Sequence, residues 1–182
     1  MKTVCVPLAP GFEEIEAVTI IDVLRRAGVR VVVAGTEAGP IRGSHEITLT
    51  PDATVDEVDA ETLDMIALPG GMPGTLHLRS SPGVRALVAR LAARGRYTTA
   101  ICAAPIVLAA EGLLAGRRAT SHPSVRDEIA PASYEEAAVV EDGTIVTSRG
   151  AGTAMAFALH LVRLLVDDAT AERLRAAMIA PR

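Results

Sequence analysis

Lysine is almost missing from this 182-residue chain: Lys2 is the only one, and every other basic side chain is an arginine. A Walker A lysine is therefore excluded and a Schiff-base lysine has no good candidate, which removes ATPase, aldolase and pyridoxal chemistry. Cysteine is also scarce. Cys5 and Cys102 stand in no CxxC or other zinc spacing, which predicts free thiols in a reducing cytoplasm. His45, His77, His122 and His160 form no HExxH or His-x-His pair, so no metal site is expected. No basic block exists either. The arginines are scattered and the net charge is -4, which argues against a dedicated nucleic-acid site. Gly150 and Gly152 lack the third glycine of a dinucleotide fingerprint and come late in the chain, so nicotinamide binding is not expected, and thiol chemistry of the kind considered below requires no cofactor. Long apolar runs are missing as well. The stretch 154–166 is broken by His160 and Arg163, and no membrane partner is expected. Met1-Lys2 leads straight into an apolar segment without a cleavage-site pattern, so no signal peptide is expected.

What remains is 49% apolar, enough for one domain with its own core. Short apolar runs at 3–9, 29–34, 64–68, 98–101 and 119–121 predict strands. Helices are predicted over 13–27, 83–94, 153–166 and 169–178, with another starting after Cys102. Segments 39–49 and 137–147 have the turn chemistry of hairpins. This alternation implies an α/β domain: a mainly parallel sheet with helices on both faces. Sites in such sheets gather at the carboxyl ends of the strands. There the chain has 10–16, Pro69-Gly70-Gly71, Cys102 and His122.

Cys102 follows a β-branched run and precedes an alanine-rich one. A sharp strand-to-helix turn is expected, with helix N–H groups aimed at the sulfur and the thiol pulled to roughly 3.5–7.5. The competing reading is a small buried hydrophobe. Glu13 and Glu14 suit the first turn of a helix. Glu16 lies deeper, next to the apolar Ala17, and is expected to point inward with a raised pKa. Gly70, Gly71 and Ala103 are candidate N–H donors to an oxyanion. His122, held extended before Pro123, is either a base or a strand-end cap. Cys5 is expected in the core, and His77 and His160 are given no role.

The segments LAPGFEEIE (8–16), LPGG (68–71), AICAAP (100–105), SHP (121–123) and TSRGAGT (147–153) together resemble the ThiJ/PfpI superfamily, and within it the DJ-one/YajL branch. The resemblance runs in order over nearly the whole chain and implies a single ThiJ/PfpI-like domain over 1–182. It also implies a flavodoxin-like sandwich, a homodimer, a reactive Cys102 and Glu16 as the acid beside it. Members of the branch are glutathione-independent glyoxalases that turn methylglyoxal into lactate, deglycases of glycated proteins and nucleotides, and oxidative-stress sensors or chaperones. The expected partner is thus a small aldehyde or glycated substrate. Arg149 is expected to pair with a carboxylate across the dimer contact more than to touch substrate. Two departures stand out. The PfpI-type peptidases carry a histidine directly after the nucleophile; here that residue is Ala103, which disfavours proteolysis. The human member of the branch has an arginine, part of an anion-binding spot near the cysteine, where this chain has His45.

Overall fold

The computed structural model describes residues 1–129 and 133–181. In chain order, β1 (Thr3–Leu8), α1 (Glu14–Arg26) and β2 (Arg30–Gly35) make the first βαβ unit. The hairpin of β3 (Ile41–Arg42) and β4 (Thr48–Leu49) follows, then β5 (Ala53–Thr54). Next come β6 (Met65–Leu68), α2 (Gly74–Ser80), α3 (Pro82–Ala93) and β7 (Tyr97–Ile101). After β7 lie α4 (Pro105–Ala110), β8 (Arg118–Ala119), α5 (Arg126–Ile129) and β9 (Ser133–Tyr134). The hairpin β10 (Val139–Asp142) and β11 (Ile145–Ser148) leads into α6 (Ala154–Leu165) and α7 (Asp168–Ala177).

The main sheet has the order β10-β11-β7-β6-β1-β2-β5. Its pairings are parallel except β10 with β11. All six residues of β1 are buried, as a central parallel strand requires. Their side chains alternate between two cores. Val4, Val6 and Leu8 join Ile20 and Leu24 of α1 and Phe157 and Leu161 of α6 on one face. Cys5 joins Ile66 and Leu68 of β6 and Val84, Val88 and Leu91 of α3 on the other. Burial pushes the Cys5 thiol up to about 12, which leaves it an inert core residue.

The helix ends follow local chemistry. Glu13 caps α1 by accepting the Ile15 N–H, while Arg25 and Arg26 occupy its last turn. Ser81 caps α3 with Pro82 in the first turn, and Asp167 caps α7. Several elements differ from the sequence expectation, among them the short β5, α5 and β9, which form where none was predicted. Helix α2 forms where the sequence predicts no element, because Thr75 and Leu78 are buried and Gly74 lies directly on Gly11. The helix expected directly after Cys102 begins only at Pro105. The strand expected over 119–121 is reduced to the two-residue β8. Among the described residues, no helix is long and apolar enough to cross a membrane.

Candidate active site

β1, β6 and β7 are parallel neighbours, so the segments leaving their carboxyl ends meet. Cys102 leaves β7 with φ 64, in the left-handed region. A non-glycine residue there costs about 1–3 kcal/mol and persists only where its surroundings fix it. Two backbone bonds do so. The Cys102 N–H donates to the Ser148 carbonyl at 3.0 Å, and the Cys102 carbonyl accepts the His122 N–H at 2.8 Å. The turn is thereby pinned by the end of β11 and by the segment after β8.

Glu16, on the first turn of α1, is completely buried. Its Oε2 accepts the Gly70 N–H at 2.7 Å, while Oε1 has no hydrogen-bond partner. Gly70 is required by this approach: a Cβ there would lie 2.7 Å from Cys102 Cβ and 2.8 Å from Glu16 Oε2. Gly71, at φ +96, would drive a Cβ into Gly11 and Phe12. The same loop is laced to its neighbours. Glu13 N–H donates to the Gly70 carbonyl and Thr75 N–H to the Gly71 carbonyl, both at 2.9 Å.

The electrostatics differ from the expectation of a resting thiolate. Burial raises the Cys102 thiol, the Glu16 carboxylate raises it further, and it reaches about 12. Only the N–H groups of Ala103 and Gly71 pull it down. The helix contributes little because α4 begins at Pro105, which has no N–H to offer. Burial also pushes Glu16 up, to about 7, against the opposing bonds from Gly70 and Cys102. Of the two acids, Glu16 loses its proton first. Cys102 and Glu16 are thus brought together, and Gly71 and Ala103 N–H groups face the sulfur.

His122 joins this site through its backbone. Its ring is tied locally: Nδ1 accepts the Ser124 N–H at 3.2 Å and lies 2.8 Å from Ser124 Oγ. Among the described residues, no carboxylate orients it. Arg149 donates from Nη1 to the Glu136 carbonyl at 3.2 Å. Arg149 and His122 line one cavity.

His45 is held elsewhere. Its N–H donates to Glu14 Oε1 at 2.7 Å, and its Nδ1 lies 3.1 Å from Glu14 Oε2 and 3.4 Å from Glu13 Oε2. The Glu14 hydrogen bond and the two nearby carboxylates raise the pKa of the exposed ring. Glu14 had been read only as a helix-dipole acid. It is in fact a buried clasp on the β3–β4 hairpin, also taking the Ile47 N–H and the Ser44 hydroxyl. Burial alone would raise its carboxyl, but the bonds from its own backbone N–H, His45 and Ile47 hold it below the usual range. Glu13, Glu14 and His45 bring three potential metal-ligand atoms within 4.8 Å of one another. The hydrogen bonds that close the hairpin already account for this cluster. His77, given no role from sequence, fastens the loop after β1 by donating from Nδ1 to the Pro10 carbonyl at 2.8 Å.

A profile of the DJ-1/PfpI family matches residues 2–164. The solved structure of Toxoplasma gondii DJ-1, oxidized, superposes with a TM-score of 0.96 at 39% identity, covering 100% of both chains. The glutathione-independent glyoxalase DJR-1.2 of Caenorhabditis elegans is 37% identical over 84% of this chain and 82% of its own. The deglycase TK1284 of Thermococcus kodakarensis is 34% identical over 86% of this chain and 95% of its own.

Proposed function

Because the chain belongs to the DJ-1/PfpI family, we propose that it is a cysteine-dependent enzyme acting on reactive 2-oxoaldehydes, a glutathione-independent glyoxalase with deglycase capacity. The observation that carries this reading is the pairing of a Cys102 sulfur on a left-handed turn with a buried Glu16 whose Oε1 is free. Above pH about 7 the pair holds one proton, and Glu16 is the stronger acid. The Glu16 carboxylate therefore takes the thiol proton as sulfur adds to the aldehyde carbon. A C–S bond forms, and the carbonyl oxygen takes up negative charge beside the Gly71 and Ala103 N–H groups, then takes the proton back from Glu16 to become the hemithioacetal hydroxyl and leave Glu16 a carboxylate again. Glu16 then carries the C1 proton to C2 through an enediol, giving a thioester. His122 keeps Nε2 free for the second proton transfer because Ser124 occupies Nδ1. Water cleaves the C–S bond and releases the 2-hydroxy acid and the thiol. On a glycated amine, the thiol would displace the amine from the early aminocarbinol: the C–N bond breaks, the amine leaves with the thiol proton, and the same hemithioacetal forms. The relatives named as glyoxalase and deglycase support both substrate classes.

The test is glutathione-free incubation with methylglyoxal, following lactate by NMR. Catalytic lactate that disappears in Cys102→Ser and falls at least a hundredfold in Glu16→Gln is the expected result. Lactate retained by Cys102→Ser would remove the mechanism.

One observation favours a second reading, oxidation sensing. Below pH about 7 Glu16 keeps its proton, and its free oxygen is then suited to donate to a sulfinate. Intact-mass analysis after mild peroxide should then find Cys102 with two added oxygens in the native protein and fewer in Glu16→Gln. We also propose a homodimer, supported by the exposed apolar residues Ile15 and Val18 on α1 and Ile47 on the adjacent hairpin.

A further inference from the structure

The peptide unit between Ser121 and His122 is held at both of its polar atoms. Its N–H, on His122, donates to the Cys102 carbonyl at 2.8 Å. Its carbonyl, on Ser121, accepts the Tyr134 hydroxyl at 2.9 Å. The first bond pins the turn of the nucleophile, and the second reaches that bond from outside the site. Ser121 is completely buried, so water does not compete for its carbonyl. Tyr134 is itself fixed. It ends β9 in register with Ala119 of β8, and the Glu135 N–H closes the pair on the Ala119 carbonyl at 2.9 Å. The Arg126 guanidinium lies 4.7 Å from the centre of the Tyr134 ring and holds its face by a cation–π contact. The Ser121 hydroxyl is turned to the next unit, donating to the His122 carbonyl at 3.0 Å.

The line continues into the site. The Cys102 carbonyl that accepts the His122 N–H shares its peptide unit with the Ala103 N–H, and that N–H faces the Cys102 sulfur and pulls the thiol pKa down. The Tyr134 hydroxyl, the Ser121–His122 peptide and the Cys102–Ala103 peptide are therefore successive links of one chain that ends at the sulfur. Every link directs its donor the same way. A hydrogen bond accepted by a peptide carbonyl polarises that unit and makes its N–H a stronger donor, by roughly 10–30% per bond. The same bonds fix the plane of each peptide, and with it the direction in which Ala103 N–H points.

We propose that Tyr134 is a positioning residue of the Cys102 site: its hydroxyl, acting through the two peptide units, orients and polarises the Ala103 N–H that receives the substrate oxyanion. The oxyanion part of this role rests on the reading of Cys102 as a nucleophile toward 2-oxoaldehydes. The action on the sulfur does not, because Ala103 N–H meets the sulfur with no substrate bound.

The test is Tyr134→Phe, which keeps the ring under Arg126 and deletes only the hydroxyl. Lactate formation from methylglyoxal should lose about three- to tenfold in kcat, with KM within about twofold, because the weakened donor acts on charge that develops in the transition state. Alkylation of Cys102 by iodoacetamide at fixed neutral pH should slow, since less of the thiolate forms. In NMR spectra the Ala103 amide proton, two links from the deleted hydroxyl, should shift upfield together with that of His122. An Ala103 amide at its native position would overturn the proposal whatever the rates do. Faster alkylation would overturn it as well, since a merely loosened turn exposes the sulfur, and so would a native kcat. If the native protein forms no lactate, the glyoxalase reading fails, and alkylation and the Ala103 shift still decide the role of Tyr134. Should Tyr134→Phe fail to fold, Tyr134→3-fluorotyrosine supplies a stronger donor of nearly the same shape. The Ala103 amide should then move downfield, and no movement would overturn the proposal.

Discussion

Glu16 and Cys102 titrate as a pair, so changing one must move the other. The Glu16 carboxylate, through its charge and its hydrogen bond, is among the causes that lift the thiol to about 12. Glu16→Gln removes those causes and leaves burial. Cys102 alkylation by iodoacetamide should then titrate at a lower pH than in the native protein, although lactate formation is lost. An unchanged alkylation profile would mean that the carboxylate does not act on the sulfur. Stability has a sign of its own. The folded pKa of Glu16 is raised from 4.5 to about 7. Its contribution is fully present below the unfolded value and is lost as pH rises through the folded one, since the folded state then binds the extra proton. Between those limits the native protein should lose roughly 3 kcal/mol, and Glu16→Gln should have a flatter profile in urea melts. That Cys102 and Glu16 lie together was legible in the sequence, Cys102 from its place behind a strand of a parallel sheet and Glu16 from the family resemblance. The order in which they ionise was not. It depends on burial depth and on Gly70 N–H reaching Oε2, and neither leaves a mark in residue spacing.

At the scale of elements, the loop after β6 sets the separation of acid and sulfur. Gly70 is the spacer between Glu16 and Cys102, and its own N–H is the donor to Oε2. Gly70→Ala should push the two side chains apart, costing about 1–3 kcal/mol in stability. Turnover should fall more than a hundredfold, as read by methylglyoxal kinetics beside a thermal melt. A variant that keeps native turnover would show that this spacing is not needed. The clasp on α1 gives a second test. Glu14→Gln keeps the shape of a group buried under the β3–β4 hairpin but replaces a carboxylate oxygen with an amide nitrogen. It should weaken the bonds to His45 and Ile47 and speed amide exchange in the hairpin at those two residues. Sequence periodicity found α1, α3, α6 and α7 because their apolar stripes and caps are local. It missed α2, whose burial comes from packing Gly74 on the distant Gly11, and it gave no end to the alanine-rich helix after Cys102. Glycines at 112 and 116, both in the left-handed region, break up that alanine-rich stretch.

For the whole molecule, the proposed dimer and the site share one helix turn. Ile15 and Val18 are 59% and 44% exposed on α1, and Ile47 is 56% exposed on the hairpin that Glu14 clasps. Ile15 and Val18 are three residues apart, so they occupy one helix face. The opposite face, with Ile20 and Leu24, is spent on the core shared with α6. Apolar side chains left outside that core gain about 25 cal/mol per Å² when a second copy covers them. Glu16 belongs to the same first turn as Ile15, but its side chain is directed inward. Val18→Asp puts a charge on the outer face without touching any hydrogen bond of the site. Light scattering after gel filtration should find twice the chain mass for the native protein and a single chain for Val18→Asp. A monomeric native protein at micromolar concentration would remove the dimer. If the dimer dissociates and methylglyoxal turnover stays within about twofold, the inner face of α1 holds Glu16 in place through the monomer core alone. If turnover falls with dissociation while the thermal melt of the monomer remains cooperative, the second copy steadies the turn that carries Ile15 and Glu16. Assembly would then be part of how the carboxyl group is kept against the sulfur.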